Sequence, residues 1–199
     1  MALNIKETKK EGYKVLSAGT HTARLTQIID LGTQDHEYMG EAKTRQRVFF
    51  TFEFPNELLP DGRPMVQGNE YTLSLADKAI LKPIVEGMLG RKLSDADKAN
   101  FDIEEFKKLL GTACMVSIVH NEKDGNTYAN IATVSPLMKG LTAPEQVNPS
   151  IMYEVNQKED ETFEKIPEFL QKKIRASYEF KNTDTVESVK SNFEAPQAF

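Results

Sequence analysis

The stretch ACMVSIVHNEKDGNTYANIATV, residues 113–134, reads as a tight β-hairpin. Two β-rich runs flank a polar turn with Asp124-Gly125 at its centre, and an Asp-Gly pair supplies the positive φ angles that a short hairpin turn requires. In the first run Cys114, Val116 and Ile118 share one face while Met115 and Val119 lie on the other, so both faces read as covered, as in a central strand pair.

Upstream, GTHTARLTQIIDLGTQ (19–34) places Ala23, Leu25, Ile29 and Leu31 on one parity, and Ile28 breaks the alternation. A bulge or bend near Gln27 reconciles the two. TRQRVFFTFEF (44–54) alternates cleanly, with Val48, Phe50, Phe52 and Phe54 opposite Arg45, Arg47, Phe49 and Thr51. NEYTLSL (69–75) repeats the pattern through Tyr71, Leu73 and Leu75. Helical spacing then takes over in KAILKPIVEGMLG (78–90), with Pro83 as a kink or first-turn residue and Gly90 as a stop. Ser94 with Asp97, and Asp102 with Glu105, have the spacing of helix caps. This order predicts a mainly β fold with inserted helices: a five-stranded OB-type barrel (β-β-β-α-β-β) over residues 13–138, after a flexible segment at 1–12. Residues 139–199 form a C-terminal extension. Within it Ile166, Phe169, Leu170 and Ile174 line one face of a short amphipathic helix near 166–177, for which Pro167 suits the first turn. So short a helix is marginal alone and must dock on the domain, on a second copy or on a partner, and the tail from Lys181 onward is expected to be loosely ordered.

The chain has 199 residues and a formal net charge of −5. Neither the domain nor the extension is basic as a whole, so any anion site must be a local patch. The single cysteine, Cys114, excludes an internal disulfide and a multi-cysteine zinc site, and it reads as core. With no signal peptide and no apolar run of membrane-spanning length, the expectation is a soluble, cytoplasmic protein without membrane contact.

For chemistry the sequence offers one patch. Arg45, Arg47 and Phe49 share a strand face, with Lys43 just before them, and Arg24 extends the patch from the first strand. Lys123 in the hairpin turn is placed to close over one end, and Tyr71 and Tyr128 either stack on a ligand or join the core. Cations along phosphates with rings for bases suit single-stranded nucleic acid, although an Arg-x-Arg on a solvated strand face is more often plain surface. The segment GTQDHEYMGEAK (32–43) reads as a long loop of the kind that clamps a strand. Asp35, His36 and Glu37 within it are too close in sequence to converge on one ion, so no metal site is assigned. His21 and His120 stand apart from any nucleophile, and there is no HExxH, GxSxG, CxxC or Gly-rich phosphate loop. No catalytic residue is assigned.

Four stretches carry a resemblance: AGTHTARLTQIIDLGTQ (18–34), EYTLSLADKAILKPIVEGMLGRKLSDADKANFDIEEFKKLLG (70–111), NTYANIATVSPLMKG (126–140) and PEFLQKKIRAS (167–177). Together they resemble phage-encoded single-stranded-DNA-binding proteins of the OB type, from replication and recombination modules. The resemblance implies sequence-independent binding of single-stranded DNA by a homodimer or larger assembly, without a cofactor. Independently of the resemblance, the apolar helix face Ile166, Phe169, Leu170 and Ile174, together with Phe199, is the candidate docking surface through which the extension would meet phage or host proteins. Single-stranded-DNA-binding proteins often end in an acidic tail with a terminal aromatic residue; here NFEAPQAF keeps Phe193 and Phe199 with only Glu194 as an acid, and the acids between Glu159 and Glu164 are the alternative competitor for the DNA groove. The competing reading is an OB-type protein-interaction or assembly module with no direct role on DNA.

Overall fold

The computed structural model describes residues 14–38 and 40–181. The expectations for residues 1–12, for the tail beyond Lys181 and for Phe199 lie outside the described residues.

Three strands open the chain, β1 (Gly19–Tyr38), β2 (Glu41–Leu58) and β3 (Pro64–Thr72). Two more, β4 (Ala113–Lys123) and β5 (Asn126–Pro136), form the hairpin, and its turn sets Asp124 and Gly125 at φ 51° and 74°. The hydrogen-bonded order is β3-β2-β1-β4-β5, antiparallel at each step. No ladder joins β3 to β5 among the described residues, so the hydrogen-bonded sheet is open. The expected five strands become six, because the extension contributes β6 (Ile151–Tyr153). It runs parallel to β1 at Gln27–Ile29, on the edge that β4 leaves at Arg24.

Helix α1 (Leu81–Leu89) carries Pro83 in its first turn, where a missing N–H breaks no helical bond, and ends at Gly90 in the left-handed conformation. The short α2 (Asp95–Ala99) starts with a reciprocal cap between Ser94 and Asp97, and Asp102 caps α3 (Ile103–Leu109) through the Glu104 and Glu105 amides. Leu81, Ile84, Val85, Met88, Phe106 and Leu109 close over Val48, Phe50, Phe52 and Phe54 to make the main core.

A second core lies on the other face of the sheet, and β1 serves both. Its pairing with β2 slips between Leu25 and Gln27 and again between Asp30 and Gly32. Each slip shifts the inside-outside alternation by one. Ala23, Leu25 and Ile28 therefore enter the main core while Ile29 and Leu31 enter the second, which divides the set that simple alternation assigns to one face. The second core is completed by Ile151, Tyr153, Val155, Phe163 of α4 (Glu161–Glu164), Ile166, and Leu170 and Ile174 of α5 (Glu168–Arg175). Burying each such side chain contributes about 1.5–3 kcal/mol, so residues 151–174 pack on the sheet through a core of their own. No helix among the described residues is long and apolar enough to cross a membrane.

Candidate nucleic-acid interface

The segment 32–43 is not a loop. β1 and β2 stay paired from Gly32 opposite Arg47 to Tyr38 opposite Glu41, so the hairpin continues past the sheet as a two-stranded arm. Its alternation is one of charge, which a search for apolar periodicity passes over. Gln34 and His36 stand opposite Arg45 and Lys43 on one face, while Asp35 and Glu37 project from the other. His36, Lys43 and Arg45 are all exposed. Lys43 pairs with Glu41 at 2.7 Å, an exposed ion pair of the kind worth about 0–1 kcal/mol and readily exchanged for a phosphate. Among the described residues Arg45 donates only to the Thr44 carbonyl, at a long 3.4 Å. On the acidic face the Tyr178 hydroxyl donates to Asp35 at 2.6 Å, and that bond pushes the phenol above its usual range.

Toward the sheet, the basic parity continues into Arg47 and Phe49, and here the extension meets it. Arg47 donates to Glu70 at 2.7 Å and to the Thr72 hydroxyl at 2.8 Å, and Lys173 of α5 donates to the other Glu70 oxygen. Burial alone would raise the Glu70 carboxyl, but Lys173 and Arg47 together hold it below the usual carboxylate range. The Phe49 ring lies over Gly68 of β3, where an added Cβ would stand 2.2 Å from the ring. Phe169 of α5 meets Phe49 edge to face, with centroids 5.8 Å apart. Beside the two rings opens a cleft of about 550 Å³. Gln27, Thr51, Gln67 and Asn148 supply its polar walls.

The other residues singled out in the sequence lie elsewhere. Arg24 is not a free surface cation: it donates to the carbonyls of Pro144 and Gly111 and so braces the chain that leads into β6. Tyr71 is only 3% exposed, edge to face with Phe50 in the main core, and offers no ring for stacking. Lys123 and Tyr128 are exposed, but β4 leaves β1 beyond Gly19, so their hairpin tip and the arm lie at opposite ends of β1. Lys123 therefore does not close over the Arg45 patch. Of the residues assigned to partner docking, Ile166, Leu170 and Ile174 are buried in the second core, so this helix docks on its own domain, while Phe169 is 55% exposed.

Sequence reasoning missed Gln27, Gln67 and Asn148, which come from separate segments and share no spacing, while Thr51 stood on the Arg47 and Phe49 face without being assigned to the site. Gly68, one residue before the run read as the third strand and inside β3 of the fold, was the available signal, since a strand glycine marks close approach of another group. It missed Glu53 too. This fully buried carboxylate stands opposite Arg24 and accepts from the Val147 and Asn148 amides at 2.8 and 2.6 Å.

Among the described residues no three His, Cys, Asp or Glu side chains gather as a metal site. The His21 and His120 rings bond to the carbonyls of Ser17 and Leu16 and hold the start of the described chain. Cys114 is buried, and burial pushes its thiol up to about 12. No protein-family model matches the chain, and no curated protein is similar enough to count as a relative.

Proposed function

We propose that this chain is a non-catalytic single-stranded-DNA-binding protein of the kind used in phage replication and recombination, binding without sequence preference. The observation that carries the reading is the basic face of the arm: Lys43 and Arg45 exposed at period two, with His36 opposite Lys43, and running on to Arg47 and Phe49. Phosphates follow such a row of cations, and aromatic rings at its root accept unstacked bases whatever their identity. The order β3-β2-β1-β4-β5, with helices between β3 and β4, supports an OB-like barrel beneath it. OB folds commonly bind strands across this side of the barrel.

The test is fluorescence anisotropy of labelled thirty-base oligo-dT at low and moderate salt, with duplex DNA and oligo-U alongside. Salt-sensitive binding of oligo-dT over duplex is expected. Replacing Lys43 and Arg45 together by Ala should weaken binding and lower the slope of log affinity against log salt by about 1.4, that is roughly 0.7 for each phosphate no longer neutralised. A normally folded double variant with unchanged affinity and slope would remove the arm from the interface.

One observation favours the alternative of a protein-interaction module: the extension already occupies much of the outer sheet face and engages Glu70 beside Arg47. Absence of oligo-dT binding at low salt would select it.

A further inference from the structure

Helix α5 is more than a cover for the sheet. Its buried side, Leu170 and Ile174, anchors it in the second core, while Phe169 stands at the margin, more than half exposed, against Phe49. Phe169 is not among the residues that close the second core, and its ring lines an open cleft together with Phe49. We infer that α5 and the β2–β3 surface together form a base pocket, in which one unpaired base of a DNA strand stacks on Phe169 beside Phe49. This rests on the DNA-binding reading above and assigns to it a residue of the extension.

Size, shape and charge agree on that occupant. A cleft of about 550 Å³ falls within the range of small-ligand sites and admits a base with its sugar. Two aromatic side chains supply π-faces and edges, and Gln27, Gln67 and Asn148 carry amides that both donate and accept. Amides of that kind meet the edge of any base, which suits binding without sequence preference. At the side of Phe49, Glu70 is shared by Arg47 and Lys173, so two cations face one carboxylate and leave one net positive charge. A backbone phosphate leaving the pocket would be drawn to that point and onward to Arg45 and Lys43 on the same strand face. An apolar protein segment would leave this charge unanswered.

The chain has no tryptophan, so Phe169→Trp introduces a single reporter at the surface of the pocket. With the full chain, oligo-dT should quench its fluorescence in step with binding, while an abasic oligomer of equal length, which offers phosphates without bases, should bind weakly and leave the emission unchanged. Phe169→Ala should lower oligo-dT affinity by about 5-fold to 150-fold, the range of one stacked base, with the salt slope unaltered. Unquenched emission from the introduced tryptophan together with full affinity of Phe169→Ala would overturn the pocket, while loss of binding in the Lys43 and Arg45 variant would still leave the DNA-binding reading standing. No binding of oligo-dT by the parent chain would overturn both.

Discussion

Arg24 and Glu53 face each other across β1 and β2, yet each spends its charge on the chain that crosses them. Arg24 takes the carbonyl of Pro144, Glu53 takes the amides of Val147 and Asn148, and between them they fix the path from the hairpin to β6. A fully buried carboxylate is tolerable only with such donors, and each hydrogen bond to a charged group contributes about 1.5–3 kcal/mol. Glu53→Gln keeps the shape but turns an amide NH2 toward at least one N–H donor, whichever way it is oriented. The expected result is a loss of about 2–4 kcal/mol, read as a lower midpoint in urea unfolding, whereas Glu57→Gln on the same strand should stay within about 0.5 kcal/mol. Equal midpoints for the two variants would show that the crossing segment is held by something other than Glu53.

At the scale of elements, what the sequence made legible is what local chemistry encodes. Asp124-Gly125, Ser94 with Asp97, Asp102 and Gly90 each act within a few residues of themselves, and each does in the fold what its spacing announces. The arm was hidden because its alternation is of charge, and the second core because Ile151, Tyr153, Phe163 and Leu170 are scattered among polar residues and converge only in three dimensions. The bulge between Leu25 and Gln27 stood close to where Ile28 broke the alternation, but that it turns β1 toward a second core could not be read without the partner segments. In the candidate interface the strand residues Arg45, Arg47 and Phe49 were visible, while Gln67 and Asn148, and the place of Phe169 beside them, were not. The joint between α5 and the sheet is electrostatic at its edge, which makes it sensitive to acid. The Glu70 carboxyl titrates below its ordinary value of 4.5 in the folded chain, so its contribution is fully present above that value and is lost as pH falls through the depressed one. Glu70→Gln should therefore be less stable than the parent at pH 7, and the gap should close as the pH is lowered below about 4. A gap that persists unchanged in acid would assign it to packing and not to the ion pairs with Arg47 and Lys173.

For the whole molecule, the consequence of one strand serving two cores is cooperativity. Because Leu25 and Ile28 hold the main core and Ile29 and Leu31 hold the second, β1 cannot leave one layer without disturbing the other. The tethers along the arm point the same way: Glu179 accepts from the Thr33 amide at 2.7 Å, and Gly32, at φ 67°, leaves the room that Ser177 and Glu179 fill. Residues 139–181 are then expected to unfold together with residues 14–138. A single unfolding transition is expected in urea, with the tryptophan fluorescence of the Phe169→Trp chain, which reports on the extension, tracing the same curve as far-UV circular dichroism, which reports on the sheet. If the fluorescence changes at lower urea than the dichroism, the extension opens first, and the outer face with Arg47 and Phe49 becomes a surface that the chain covers and uncovers rather than one it holds built. Coincident curves instead make α5 a fixed wall, which is what a base pocket shared between the extension and the sheet requires.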